Sequence, residues 1–526
     1  MTSEAPNPQD APEPAAAAEQ EAASLRRAAD SRPVRLGAAI ALVAVGVGAI
    51  LAWLFIAGVH ISDRRQIDHV SGAWMALAMH ANEEGLYPEL FDGERYGCTR
   101  FMPVPIVVHA GLARITGEYI MSGKLLNGLS LAALLGVVCI ALRKHNASTP
   151  LAIALTGSIL LTSPGMLAGT SIRNDALPAA LQLIAVLLIT RPRGVAIIAG
   201  AGFISALAVL CKLSAIWAPM AIGLWLLATN RRGLAVYCAG FAIMLSAGLG
   251  GFHLISGGRM FENLFGLSTS GIEGFVDLVR GPFRLLANLQ HYALLTWVLL
   301  PFALCLTAMA ALTLRFSIIH LALLCSFAPL SLAFADSGVG HNHLIDLVAL
   351  IALCIGVRRT PRPAWSPSEI TRVLAAIVLI WTAPFVALRF FWRPLTESLN
   401  AALHGERLPM HDADVFRDAF GADERLLSDD PFVSISRGEL PVVMDAFMLL
   451  RIGRDRPDWI EPLLERIEAR EFDAVVTVHA LDSADEFYTT LHFGRTILDA
   501  LNRSYIATDE VGGYTVHRRR SDSAGE

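Results

Sequence analysis

Apolar runs recur along this 526-residue chain at lengths near that of a bilayer core, and that constrains its fold more than anything else. A hydrocarbon layer of about 30 Å takes roughly 20 helical residues. On that template spans are expected near 36–59, 119–142, 149–169, 175–190, 195–211, 213–229, 233–255, 291–313, 317–335, 343–357 and 371–390. With 54% hydrophobic and 17% charged residues, a single water-soluble core does not account for the chain. The expected fold class is a polytopic α-helical membrane protein of about eleven transmembrane helices.

The 35 residues of 195–229 admit either one long helix or a hairpin. Arg191 and Arg193 precede them and Arg231 and Arg232 follow, and the positive-inside bias puts both pairs on one side. The chain then crosses an even number of times between them, which predicts a hairpin with Lys212 at its outer turn. Arg143 and Lys144, Arg315, and Arg358 with Arg359 and Arg362 fall inside by the same bias. This predicts a cytoplasmic N-terminus and an external C-terminal tail. The outer loop 60–118 carries Arg64, Arg65, Arg95 and Arg100, but long, equally acidic loops translocate largely regardless of charge.

Residues 1–34, rich in Ala, Pro and Glu, are expected to be disordered, and the first apolar run is too long for a signal-peptide core. Residues 35–390 form the expected transmembrane domain. From 391 to 526 the pattern is that of a small extracytoplasmic α/β domain. There "FDAVVTV" reads as a strand, "DWIEPLLERIEAR" and "SADEFYTTLHFGRTILDALNR" as amphipathic helices, and "YIATDEVGGYTVHRR" as a hairpin. Six of seven cysteines lie in apolar runs, so a disulfide framework is not expected. The net charge of -5 says little about partners; no nucleic-acid function is read from the chain, and no Gly-rich cradle for nucleotide phosphates is present.

Polar residues that interrupt the apolar runs gather on the predicted outer face. Asp63, Asp68 and His69 follow the first span, and Arg173, Asn174 and Asp175 join the third and fourth. Lys212 marks the hairpin turn, and Asp336, His341, Asn342, His343 and Asp346 lead into the tenth span. Asn174 and Asp175 also suit a helix cap, Asp346 the positive end of a helix, and His341 and His343 a solvated loop. The His-x-His spacing leaves room for a divalent cation, yet no third ligand stands at a recognisable offset, so no cofactor is assigned. Lys212 is costlier to place between apolar arms unless it snorkels or meets an anion. No ATP is available outside, so chemistry there draws on an already activated donor. A lipid or glycan transporter is the alternative reading of many helices with outward polar clusters.

The segment "QIDHVSGAWMALAMHANEEGLYPEL" places Trp74, Leu77, Ala78 and Ala81 at helical spacing, predicting an amphipathic helix along the outer interface, and a second, Pro-led segment follows it. In this pattern the chain resembles GT-C fold glycosyltransferases that use polyprenyl-phosphate sugars, such as protein O-mannosyltransferases and aminoarabinose transferases. Asp68, Ala76, Gly85, Tyr87, Pro88, Tyr96 and Pro103 stand at comparable places, as do Arg173, Asn174, Asp175 and Lys212. His69 departs from the pattern, standing where a second acid is frequent, and Asp63 rivals Asp68 as the leading acid.

The resemblance implies inverting transfer of a sugar from a polyprenyl-phosphate donor to a hydroxyl of a lipid, glycan or protein acceptor of the cell envelope. The setting it implies is the outer face of a bacterial inner membrane, among membrane lipids. Asp68 or Asp63 would be the base, and Lys212 and Arg173 would hold the donor phosphate. His69, Tyr87, Arg100, Asp175, His341, Asn342, His343 and Asp346 would contact substrate.

Overall fold

A computed structural model describes residues 32–62, 64–66, 70–190, 194–265, 272, 274–313, 315–336, 338–357, 411–481 and 487–520. The eleventh expected span and the expected disordered N-terminus up to residue 31 lie outside these residues, as do Arg191, Arg193 and the basic cluster 358–362.

The membrane domain opens with helix α1 (Arg32–Ser62) and a two-residue strand β1 (Arg65–Gln66). The loop 60–118 then supplies α2 (Val70–Glu83) and α3 (Pro103–Thr116). Next come α4 (Tyr119–Lys144), α5 (Thr149–Leu160), α6 (Ser163–Thr170), α7 (Ala176–Ile189), α8 (Val195–Cys211), α9 (Trp217–Thr229) and α10 (Arg231–Ile255). The bundle closes with α11 (Arg259–Phe265), α12 (Phe275–Tyr292), α13 (Leu294–Leu312), α14 (Ile318–Ala333), a short 3-10 turn His341–Leu344 and α15 (Ile345–Gly356). Lys212 stands at the C-cap of α8, so residues 195–229 form two helices that break at this residue and not one long helix.

Four of the described helices are long and apolar enough to cross a membrane: Leu36–Val59 of α1, α4, α10 and α13. The pair α5 and α6 passes together but bends by 74°, and six further apolar helices are shorter, at 10–17 residues. A 14-residue helix such as α7 reaches about 21 Å at 1.5 Å per residue, short of the hydrocarbon core. The expected count of eleven spans is therefore not confirmed among the described residues, where long and short helices are mixed in a multi-pass membrane protein.

Core contacts explain the arrangement. Leu131, Leu134 and Val138 of α4 pack with Ala179 and Leu183 of α7, Trp217 of α9 and Leu350 of α15 in one buried cluster. Small residues set the closest crossing. A Cβ at Gly46 would fall 2.5 Å from the Ile153 carbonyl oxygen, and one at Gly157 2.6 Å from the Gly46 Cα, so α1 and α5 meet backbone to backbone.

Helix α12 carries two stripes. Gly281, Leu285 and Leu289 face the bundle, whereas Phe275, Val276, Val279 and Phe283 are exposed, with Arg280 beside them. An amphipathic surface helix suits this pattern.

The C-terminal domain begins at β2 (His411–Asp412), which pairs antiparallel with β1 of the membrane domain. It continues through α16 (Ala413–Ala419), β3 (Leu426–Ser428), α17 (Phe432–Arg437), α18 (Ala446–Asp455), α19 (Pro457–Glu468), β4 (Ala474–Thr477), α20 (Arg495–Ser504), β5 (Tyr505–Val511) and β6 (Tyr514–Arg519). The four-stranded sheet runs β3-β4-β6-β5, parallel only between β3 and β4. The expected strand, the helix over 457–468 and the Gly512–Gly513 hairpin are all present. The single amphipathic helix expected over "SADEFYTTLHFGRTILDALNR" is not. A wide helical turn at Phe487–Leu491 is separated from α20 by Gly494, whose φ of 83° no continuing helix adopts.

Helix α2 also differs from expectation. Every residue from Ser71 to His80 is buried, so it is not a half-exposed interfacial helix. Phe416, Phe432, Val433 and Tyr514 of the C-terminal domain cover the side that water or lipid would meet, joining Trp74, Met75, Leu77 and Met79 in one cluster.

Candidate functional site

Three separated loops bring their polar side chains together at one end of the bundle. The first follows the bend in the α5–α6 pair, where Thr162 caps α6 by accepting from the Gly165 amide at 3.2 Å. After α6 the chain runs through Ile172 to Asp175. Asp175 takes the N-cap position of α7 but makes no side-chain cap bond. Its carboxylate turns outward from that helix instead, accepting from the Lys212 ammonium on Oδ1 and from Asn342 Nδ2 on Oδ2 at 2.7 Å. The plain cap reading therefore does not account for this side chain.

Asn342 joins the loops. Its Oδ1 accepts from Arg173 Nη1 at 2.9 Å while its amide nitrogen serves Asp175. A buried carboxylate beside a lysine, with an amide filling its second oxygen, has its charge compensated, and the ammonium is held in a fixed place. An ammonium carries three donors, so the bond to Asp175 does not exhaust Lys212.

Around this centre His341 bonds Ser163 Oγ at 2.9 Å and stacks on Tyr292, ring centroids 3.9 Å apart. Asp346 accepts from the Trp217 indole at 3.0 Å and from Gln182 Nε2 at 3.4 Å. His343 lies within electrostatic range of Lys212, Asp175, Arg100 and Arg173. The site also contains unmet polar capacity. His343 Nδ1 and both amide atoms of Asn174 are buried without a partner among the described residues, and such groups cost about 1–3 kcal/mol unless something fills them. Fixed cations beside unmet amide and imidazole groups suit an anion carrying hydroxyls.

Two other predicted residues sit elsewhere in the outer loop. Arg100 bonds Asp336 at 3.1 Å and lies over the Phe447 ring of the C-terminal domain, 4.6 Å from its centroid. Tyr87 is fully buried and donates its hydroxyl to the Phe101 carbonyl at 2.7 Å, beside the Trp74–Phe101 stack. Its polar atom is engaged within the loop. Asp63, Asp68 and His69 lie outside the described residues. Among the described residues no group of three His, Cys, Asp or Glu side chains stands close enough for a metal ion.

Sequence reading passed over several members. Ser163, Gln182, Tyr292 and Trp217 carried no signal, because their partners are set only by packing.

Comparison with known proteins identifies the architecture. No family model matches the chain, and no curated protein sequence matches it. Among solved structures, ArnT from Cupriavidus metallidurans in the apo state aligns over 91% of this chain and 98% of its own, with a TM-score of 0.54 and 15% identity. The same protein bound to undecaprenyl phosphate covers 91% and 99%, at a TM-score of 0.54 and 14% identity. The Archaeoglobus fulgidus oligosaccharyltransferase in complex with Zn and sulfate covers 88% of this chain and 71% of its own, at 0.51 and 13%. The chain therefore has the GT-C fold, as the sequence resemblance implied.

Proposed function

We propose that this protein is a glycosyltransferase that moves a sugar from a polyprenyl-phosphate donor to an acceptor hydroxyl. The observation carrying this reading is the convergence of Arg173 and Lys212, from separate loops, on Asn342 and Asp175. A solved neighbour of the same fold holds undecaprenyl phosphate, which supports a lipid-linked donor.

The acceptor oxygen attacks the anomeric carbon while a carboxylate takes its proton. Asp68 is the candidate base, with Asp63 as its rival. The bond from that carbon to the phosphate oxygen breaks, and the oxygen keeps the electron pair. Lys212 and Arg173 then meet charge that grows as the bond breaks, which lowers the barrier more than it favours the bound donor. Direct displacement inverts the anomeric centre. Asn174 and His343, with buried atoms unmet, are suited to sugar hydroxyls. The acceptor is a lipid, glycan or protein of the cell envelope, and the setting is the outer face of a bacterial cytoplasmic membrane with the C-terminal domain extracytoplasmic.

The test is transfer by the reconstituted protein from synthetic polyprenyl-phosphate hexoses and pentoses to cell-envelope extract. Asp68→Asn should lower turnover by about a hundredfold or more with expression and insertion intact. Wild-type turnover in that variant removes Asp68 from the role. Movement of the lipid across vesicles with the sugar–phosphate bond intact would favour the flippase alternative.

A further inference from the structure

The C-terminal domain meets the membrane domain at a carboxylate with no solvent exposure. Asp430 follows β3, and its Oδ1 accepts from the Phe432 amide at 2.9 Å as α17 begins. Its Oδ2 accepts from the Tyr514 hydroxyl of β6 at 2.7 Å and from Gln66 Nε2 of β1 at 2.6 Å. Gln66 is 364 residues away in sequence and belongs to the outer loop of the membrane domain. Three hydrogen bonds to one buried carboxyl group form a set that is costly to leave half made.

The same side chain presses on the first turn of α2. A Cβ at Gly72 would collide with Asp430 Oδ1 and stand 2.9 Å from the Phe432 amide nitrogen and 3.1 Å from Pro431 Cδ. Only glycine lets the two segments approach this closely. The neighbouring Ser71 accepts at its Oγ from the Ile172 amide at 3.1 Å. Ile172 directly precedes Arg173, and a Cβ at Gly123 would lie 2.7 Å from its Cγ2, so the loop is wedged from behind as well. Gln66, Ser71, Ile172 and Asp430 are each at most 2% exposed, so the series is shielded from bulk solvent.

We infer that Asp430 is a positioning residue: from the C-terminal domain it fixes Gln66 and the start of α2, and through Ser71 the loop that carries Arg173 and Asp175. Its functional meaning rests on the glycosyltransferase reading above, but the mechanical link does not. A staple serving the C-terminal domain alone would need only Phe432 and Tyr514. The bond to Gln66 and the contact with Gly72 add nothing to that domain's own sheet, and they are what connects it to the membrane domain.

The experiment uses the full-length protein in nanodiscs and reads two quantities. Hydrogen exchange at the Ile172 amide reports the loop directly, and binding of undecaprenyl phosphate reports the site. Asp430→Ala should speed exchange at Ile172 about tenfold or more and weaken binding by a similar factor. Asp430→Asn should keep both near wild type. Gln66 Oε1 is buried without a partner among the described residues, so the glutamine amide can turn to accept from an asparagine amide at position 430. Should Asp430→Ala fail to fold, Tyr514→Phe removes one donor and should give about a threefold change in the same amide. Arg503→Gln, whose guanidinium pairs with Glu468 on the exposed surface, sets the baseline. An Ile172 amide unchanged in the folded variant overturns the inference. A wild-type protein that fails to bind undecaprenyl phosphate overturns the donor reading while leaving the exchange result standing.

Discussion

The polar centre of the membrane domain and the junction around Asp430 are both buried and both hydrogen-bonded, yet they are held in opposite ways. At the centre, charged and amide side chains from three loops satisfy one another through hydrogen bonds. At the junction, a single carboxylate lies inside a wide apolar cluster, with Phe432, Phe416 and Trp74 around it. The first arrangement leaves cations and unmet amide atoms that can engage a ligand. The second commits both oxygens of Asp430 to structure. Binding and bracing thus occupy separate places, joined by the Ser71–Ile172 bond.

Removing Lys212 is the sharpest way to break the comparison. Lys212→Ala leaves Asp175 buried at 5% side-chain exposure without its counter-ion, and destabilisation of about 3–5 kcal/mol is expected by thermal or denaturant unfolding. The double variant with Asp175→Asn should recover most of that stability without recovering sugar transfer. Recovery of both would show that the pair is purely structural.

A smaller effect is expected at the junction. Gly72→Ala forces a methyl group against Asp430 and Phe432 and should cost about 1–3 kcal/mol, with the loss reduced in an Asp430→Ala background. Equal losses in the two backgrounds would separate Gly72 from Asp430.

A separate effect is expected on pH dependence. Burial outweighs the three donors and pushes the Asp430 carboxyl up to about 8. The folded state therefore binds this proton more tightly than the unfolded state. Its contribution to stability is complete below the ordinary carboxylate range and is lost as the pH rises through about 8. Melting temperature should drift downward from pH 5 to pH 9, and Asp430→Asn should flatten the drift. An unaltered slope in that variant would assign it to other groups.

The centre was legible in sequence because an apolar background makes charge conspicuous. Lys212 between two apolar arms, and Arg173 with Asp175 between two spans, stood out for that reason. The junction was hidden for the converse reason. "SDDPFV" in a soluble domain looks like any turn, and nothing local marks Asp430 as the partner of Gln66. Helix α2 shows the same limit. Its small and apolar residues at helical spacing predicted a helix correctly, but whether its outer side meets lipid, water or protein depends on a domain more than 300 residues later. The short spans mark a third limit, since hydropathy registers where apolar runs lie and not where helices bend.

The backbone contact between Gly46 and Gly157 has a consequence for biosynthesis. Gly157 is made more than a hundred residues after Gly46, a delay on the order of 5–20 s at usual elongation rates. During that interval α1 must reside in the bilayer with its glycine notch facing acyl chains. Its 24 apolar residues allow this, because a helix of that length is stable in lipid before any neighbour exists. The notch closes only when α5 arrives, so the order of translation is also the order in which lipid is displaced from this seam.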